Sequence, residues 1–134
     1  MSTENEIQEK YMQFQYLQQQ LEQISQHLEM LNQQNADLDI SINAVTELGK
    51  TKLGNELLAP IADGVFLRGE LKDNKKLVIN VGMNTTVEKT VPEVIKLLEN
   101  QKSQLQLRLI EVEAVRQELT SQTMKLYKEI EGKV

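Results

Sequence analysis

Apolar residues recur at spacings of three and four along two segments of the chain, which have nearly equal length. The apolar positions of the first segment are Ile7, Phe14, Leu17, Leu21, Ile24, Leu28, Leu31, Leu38, Ile42 and Val45. The second segment repeats at Leu98, Leu105, Val112, Leu119 and Leu126. Such heptad spacing forms one apolar stripe along a helix and is typical of coiled coils. The two segments are therefore predicted to be helices that pair with each other.

The first helix is bounded by a capping signal and a glycine. Thr3 followed by Glu6 has the spacing of a capping box, in which each side chain binds the backbone amide of the other residue. Gly49 suits the position just after a helix, where glycine adopts a left-handed backbone without strain. These signals predict a first helix over residues 3–49.

The second helix has equally clear signals. Thr90 and Glu93 form another capping box, and Pro92 lies in the first turn, where its missing N–H is harmless. This helix is predicted over residues 90–132. Two helices of similar length around a short middle segment imply antiparallel pairing, with residues whose numbers sum to about 140 lying level with each other.

The middle segment, residues 50–89, changes to an apolar period of two. Residues 65–71 and 77–81 have the composition of β-strands. The turn-rich residues 72–76 lie between them and predict a β-hairpin that joins these two strands.

Two shorter strands are predicted outside this hairpin, at residues 57–61 and 86–89, with turns at 63–64 and 82–84. Four short strands this rich in Val, Ile and Leu cannot cover both of their faces within one chain. Their apolar faces and open edges are therefore predicted to pair with other subunits. The predicted interface residues are Leu58, Ile61, Val65, Leu67, Leu71, Leu77, Ile79, Val81 and Val87.

The polar residues of the helices form no catalytic or metal-binding constellation. Asn35 interrupts the first apolar stripe, where a buried amide lowers stability but fixes the alignment of the helices. His27 has no other metal ligand close to it in sequence, and we interpret it as a solvated flanking residue. Gly49-Lys50-Thr51 resembles the end of a phosphate-binding loop, but Ala44 stands where that loop requires its first glycine. We predict no enzyme activity and no catalytic, cofactor or metal site.

Composition narrows the functional class further. The chain of 134 residues has a net charge of −5 and a pI near 5.0, whereas nucleic-acid binding requires a basic surface. The absence of cysteine excludes disulfides and thiolate metal sites. Residues 1–6 lack the pattern of a signal peptide, and no stretch is apolar enough to span a membrane. We therefore expect a soluble, intracellular protein that binds neither nucleic acid nor membranes.

The middle segment resembles prefoldin subunits. Leu57-Leu58-Ala59-Pro60-Ile61, followed by Gly64, is similar to the family motif L-V-P-(I/V)-G-x-G-S-F, with Ala59 in place of the usual valine. Val78-Ile79-Asn80-Val81-Gly82 is similar to the motif (V/I)-x-V-G, and Val87-Glu88-Lys89 to V-E-K. Two hairpins mark the α class of the family, which this chain resembles.

This resemblance implies a fold, a set of partners and a function. The fold would be mainly α, a long antiparallel coiled-coil helical hairpin joined by two β-hairpins that assemble into an intersubunit β-barrel. Residues 1–134 would form one domain, with residues 50–89 as the assembly region. Two α-type subunits would assemble with four β-type subunits into a hexamer. Such complexes need no cofactor, hold unfolded client proteins without ATP and pass them to a cytosolic group II chaperonin.

In an antiparallel helical hairpin the two chain ends meet at one tip. The apolar residues predicted to bind clients at this tip are Ile7, Tyr11, Met12, Tyr16, Met124, Tyr127 and Ile130. Tyr11, Met12 and Tyr16 lie off the apolar stripe, and methionine adapts to varied apolar partners. The alternative is that these residues only close the end of the coiled coil.

Two other functions are compatible with the same sequence. The chain would self-assemble into a prefoldin-like homo-oligomer or filament, or it would be a non-chaperone coiled-coil adaptor that binds one folded partner. Suppression of client aggregation separates a chaperone from an adaptor.

Overall fold

The computed structural model describes residues 2–132. In chain order the elements are α1 (Ser2–Lys50), β1 (Glu56–Ala62), β2 (Val65–Glu70), β3 (Lys76–Gly82), β4 (Thr85–Thr90) and α2 (Val91–Gly132). The chain divides into two compact units. We call residues up to 35 together with those from 104 onward the coiled-coil unit, and residues 36–103 the hairpin unit.

In the coiled-coil unit the predicted apolar stripe is the part of each helix that is withdrawn from solvent. Leu28, Leu31 and Leu126 are buried, with Leu31 only 3% exposed. The other stripe residues of this unit, among them Phe14 and Leu119, are partly buried. None of the described side chains is completely buried, because two paired helices cover a stripe but cannot enclose an interior.

Contacts between the helices confirm antiparallel pairing in this unit. Lys10 Nζ lies 3.4 Å from Glu129 Oε2. The rings of Phe14 and Tyr127 pack in a tilted arrangement with their centroids 5.8 Å apart, a geometry that aromatic pairs prefer. In both pairs the residue numbers sum to about 140, as antiparallel pairing of the two segments predicts.

Three polar residues test the sequence predictions for this unit. Thr3 lies inside α1, which already includes Ser2, so the predicted capping position is wrong. A capping pattern locates the start of a helix only to within one or two residues. His27 is partly buried, and not fully solvated, where it borders a groove that it shares with Gln104 and Leu107 of α2. The predicted burial of the Asn35 amide is confirmed, and its Oδ1 makes no hydrogen bond within the described part of the chain.

The hairpin unit contains the end of α1 and the start of α2. The Lys102 ammonium donates a hydrogen bond to Asp39 Oδ1, which joins the two helices. Leu71, Val91 and Val94 are buried and form the apolar centre of this unit. Its compactness therefore depends on a few apolar side chains at the junction of helix and strand.

Gly49 has a different role from the one predicted. It belongs to α1, which ends at Lys50, so it does not occupy the position after the helix. A Cβ atom at Gly49 would lie 3.0 Å from Val91 Cγ1. The glycine therefore provides space for the buried Val91 side chain.

The predicted capping box at the start of α2 is confirmed. Glu93 N donates to Thr90 Oγ1 at 3.3 Å, and Thr90 N donates to Glu93 Oε1 at 3.3 Å. The Thr90 hydroxyl also donates to Glu93 Oε1 at 2.9 Å. These bonds satisfy amides that have no partner inside the helix and set its first residue at Val91.

The strands form two separate hairpins, β1 with β2 and β3 with β4. The predicted turns close them, Asp63-Gly64 in the first hairpin and Met83-Asn84 in the second. Gly64, Met83 and Asn84 have φ values of 74°, 50° and 61°. Both turn residues of the second hairpin thus have positive φ, as in the type I′ turn that matches the twist of paired strands, whereas in the first hairpin only Gly64 does.

The predicted hairpin of residues 65–71 with 77–81 is wrong within this chain, since these strands lie in different sheets. The segment between them is instead bound to the helix ends. Asn74 Nδ2 donates to Thr51 O at 2.9 Å, and Val91 N donates to Lys75 O at 2.9 Å. Closing a two-residue turn costs less entropy than closing a longer loop. Each strand therefore pairs with the neighbour across its two-residue turn.

Candidate assembly and client-binding surfaces

Both hairpins present apolar side chains that the described chain leaves uncovered. We call this set the hairpin surface; its members are Leu58, Ile61, Val65, Phe66, Leu67, Val78, Val81, Met83 and Val87. Each sheet has only two strands, so both of its faces and both of its edges are available. Exposed apolar groups beside open strand edges are typical of surfaces that bind another protein chain.

Most of the interface residues predicted from sequence lie on this surface. Six of the nine are exposed, and Leu77 and Ile79 are partly buried. Leu71 is buried, at 7% exposure, because hydrogen bonds hold its backbone in the centre of the unit. Gly54 N donates to Leu71 O at 2.8 Å, and Leu71 N donates to Asn55 O at 2.9 Å. The Leu71 side chain therefore belongs to the core of its own chain.

The sequence analysis did not select Phe66, Val78 and Met83, which are among the exposed apolar residues. Phe66 and Val78 point to the opposite face from Leu67 and Ile79, since successive side chains alternate across a strand. The selection took alternate residues along β2 and β3 and so passed over Phe66 and Val78, although both faces of a two-stranded sheet are open. Met83 lies in a turn, where no periodicity marks it.

Charged groups in the hairpin unit serve local structure. Arg68 Nε lies 3.6 Å from Glu56 Oε1 on the first hairpin, and both side chains are largely exposed, so this ion pair contributes little stability. Hydrogen bonds from the amides of Lys75 and Lys76 lower the pKa of the Asp73 carboxyl below 3.8. The described residues contain no group of three or more side chains placed to hold a metal ion.

A second apolar surface lies where the two chain ends meet in the coiled-coil unit. We call it the chain-end surface; its exposed members are Tyr11, Met12, Tyr16, Met124 and Tyr127. Tyr127 packs on Phe14, and its pKa is raised by a hydrogen bond with the Glu131 carboxylate and by that negative charge. Ile7, a residue of the apolar stripe, and Ile130 were also predicted as client-binding residues, and both are partly buried.

Other exposed apolar residues of the coiled-coil unit lie away from the chain ends. They are Met30, Leu107, Ile110 and Val115, none of which the sequence analysis selected. They offer a matched comparison for the chain-end surface, because they have similar exposure on the same pair of helices.

The sequence matches a known protein family. The family model of prefoldin subunits matches residues 17–134. This chain belongs to the prefoldin family. It is 25% identical over 130 residues to prefoldin subunit alpha of Archaeoglobus fulgidus, which covers 97% of this chain and 95% of that protein. It is 27% identical over 84 residues to prefoldin subunit alpha of Thermofilum pendens, covering 63% of this chain and 65% of the relative.

A solved prefoldin structure has the same fold. The cryo-EM structure of a filamentous prefoldin from Methanocaldococcus jannaschii superposes with a TM-score of 0.75 at 22% identity. The superposition covers 86% of this chain and 95% of that chain. Two long helices joined by two small antiparallel hairpins, the fold predicted from sequence, are thus confirmed as a prefoldin fold. The resemblance to the α class is confirmed by the relatives, which are named alpha subunits.

The family assignment confirms the general class of function predicted from sequence. Prefoldins are chaperones that act in protein folding as complexes of several subunits. Within residues 2–132, no helix is both long and apolar enough to cross a membrane.

Proposed function

We propose that this prefoldin chain is the α-type subunit of a cytoplasmic hexamer with four β-type subunits and a second α-type subunit. The complex holds unfolded proteins without ATP or another cofactor and passes them to a group II chaperonin. The observation that carries the proposal is the hairpin surface, which has exposed apolar residues on both hairpins. In the assembly, hairpins of neighbouring subunits cover this surface by forming a β-barrel.

The chain-end surface supports the client-binding part of the proposal. Tyr11, Met12, Tyr16 and Met124 are more than half exposed and contribute nothing to the apolar stripe. Each apolar side chain that a client covers contributes about 25 cal/mol per Å² of buried area. One subunit therefore binds weakly, and several subunits around one client raise the affinity through effective concentration.

Replacing the chain-end surface tests this function. The variant Tyr11→Ser, Met12→Ser, Tyr16→Ser, Met124→Ser is assembled with β-type subunits, and light scattering follows aggregation of a chemically denatured client diluted into the complex. We expect normal assembly and loss of most of the protection. The matched control carries serine at Met30, Leu107, Ile110 and Val115, and we expect it to protect as the unchanged complex does.

The control distinguishes the alternatives. Equal protection by both variants would place client binding elsewhere on the complex, and loss of protection only in the control would place it along the middle of the helices. A chain that assembles but never suppresses aggregation would instead be an adaptor. Transfer to a group II chaperonin is measured as ATP-dependent client refolding after addition of the chaperonin to the client complex.

A further inference from the structure

A groove on α2 adjoins the chain-end surface. Its lining residues lie between Arg116 and Lys128 on this one helix, and they include three cations and no carboxylate. We call it the cationic groove; the members that matter for binding are Arg116, Thr120, Ser121, Met124, Lys125 and Lys128. Met124 belongs to both surfaces, so the groove continues the apolar area of the chain end.

Met124 supplies the apolar contact in this groove. It is 58% exposed, and methionine is flexible enough to pack against apolar side chains of different shapes. The Thr120 hydroxyl is already used within the helix, since it donates to Arg116 O at 2.8 Å. A ligand in the groove therefore meets an apolar side chain that lies beside positive charges.

The three cations of the groove are not equivalent. The Arg116 guanidinium is bound to Glu113, with Nε 3.0 Å from Oε2, so its charge is neutralised within the helix. Lys125 and Lys128 are exposed, and neither has an ion pair or hydrogen bond with any described residue. The groove therefore presents two ammonium groups that can bind an external anion.

The neighbouring carboxylates of α2 have other partners. They are Glu118 with Gln122, Glu129 with Lys10, and Glu131 with Tyr127. No described carboxylate lies within the ion-pair distance of 4.0 Å from Lys125 or Lys128. Unpaired ammonium groups beside an exposed apolar residue form a surface that is complementary to an acidic partner.

The α1 side of the chain end has the opposite charge. Glu4 and Glu9 are exposed there and do not line the groove, and the first cation of α1, Lys10, is bound to Glu129. An acidic segment is therefore attracted to α2 and repelled from α1. The charges thus give such a segment one preferred place at the chain end.

We propose that the cationic groove binds client segments in which an apolar side chain lies close to carboxylates, and that Lys125 and Lys128 determine this specificity. The inference rests on the proposed function and names a class of client that it selects. Residues three apart are neighbours on a helix surface, so two carboxylates of one segment can reach both lysines. An unfolded segment fits better than a folded partner, because the groove is open, lies on a single helix and adjoins the surface assigned to clients.

Fluorescence anisotropy tests this specificity with the complex of this chain and β-type subunits. The probes are two labelled peptides that share one apolar core, which is flanked by aspartates in the first peptide and by lysines in the second. The ratio of their two affinities measures the charge preference. We expect the unchanged complex to prefer the aspartate peptide, and high salt should reduce this preference because it screens exposed charges.

Variants of the two lysines are compared in complexes with the same β-type subunits. Lys125→Gln with Lys128→Gln should lower the preference about fivefold, since two exposed ion pairs are lost, and Lys125→Glu with Lys128→Glu should lower it further. Lys125→Arg with Lys128→Arg keeps the charge and should keep the preference. The matched control is Arg108→Glu, an exposed position outside the groove. It lowers the net charge by the same amount as the glutamine pair and should leave the preference unchanged.

A dye attached to the chain tests where the peptide binds. The chain contains no cysteine, so an environment-sensitive dye can be attached at Ser121→Cys in the groove, or at the exposed Ser103→Cys on the same helix. We expect the aspartate peptide to change the emission of the dye at residue 121 and not of the dye at residue 103.

Equal binding of both peptides, or a glutamine pair that keeps the full preference, would overturn the inference. A dye at residue 121 that responds to a natively folded acidic protein, and not to the aspartate peptide, would also overturn it, since the occupant would then be a folded partner. Failure of the proposed function is distinguished by light scattering, because such complexes would not suppress aggregation of a denatured client. A complex that protects clients without any charge preference would retain the proposed function and exclude this specificity.

Discussion

The two units use the same apolar residue types in opposite ways. In the coiled-coil unit, Leu28 and Leu31 are buried within their own chain. In the hairpin unit, Leu58, Phe66 and Val78 are more than half exposed. A helix with one apolar stripe is satisfied by one partner helix, whereas a two-stranded sheet leaves two faces and two edges open. The helices of the coiled-coil unit therefore cover their apolar stripe within the chain, whereas the strands of the hairpin unit leave most of their apolar side chains exposed.

The largest expected effect breaks assembly without unfolding the helices. Val65 is exposed on β2, so Val65→Asp would bury an unpaired charge in the subunit contact and weaken assembly by more than about 100-fold. Light scattering should show loss of oligomer mass, while circular dichroism retains the helix signal. Gln15→Asp adds the same charge on an exposed helix position and should leave the mass unchanged. Unchanged mass for Val65→Asp would mean that the hairpins are not the interface.

The second prediction makes the coiled-coil unit more stable. Asn35 Oδ1 is buried without a hydrogen bond in the described chain, so Asn35→Ile removes an unsatisfied group and should raise the free energy of unfolding by about 1–3 kcal/mol. Urea denaturation measures the change. Asn32→Ile, at a neighbouring exposed residue, should give no comparable gain. A marked loss of stability in Asn35→Ile would show that the amide has a specific partner in the assembled protein.

The third prediction tests close packing in the hairpin unit. Gly49→Ala gains about 1 kcal/mol of helix propensity, but its Cβ would press on the buried, stiff Val91 side chain. Overpacking costs about 1–3 kcal/mol, so we expect a net loss of about 1 kcal/mol in urea denaturation. When Val91→Ala is already present, the same change should instead stabilise the chain. Equal effects in both backgrounds would remove the steric explanation.

The smallest effect concerns the capping box of α2. Hydrogen bonds from the Thr90 hydroxyl and amide lower the pKa of Glu93 below 4.5. The folded state thus favours the charged carboxylate, and this contribution is present above pH 4.5 and is lost as the pH falls through the lowered pKa. Glu93→Gln should lower the melting temperature slightly at pH 7, and the difference should disappear in acid. The exposed Glu99→Gln should show a smaller difference, and a gap that widened in acid would contradict this assignment.

Helix type, helix pairing and the positions of the hairpin turns were determined by the sequence. The heptad stripe requires no information beyond spacing, because one period places Leu28 and Leu31 on the same helix face. The Thr90–Glu93 capping box is equally local, since its bonds join residues three positions apart. The turns at 63–64 and 83–84 depend on residues within one short segment that adopt positive φ.

Only the tertiary structure decided which strands pair and which apolar residues stay uncovered. Residues 72–76 have the composition of a turn, but Asn74 and Lys75 bind the helix ends, a long-range contact that local composition does not encode. Gly49 and Leu71 likewise took their roles from residues far along the chain, Val91 and Gly54. Burial depends on what packs against a side chain, so the sequence determined the helices and turns, and packing alone separated the core from the apolar side chains that stay exposed.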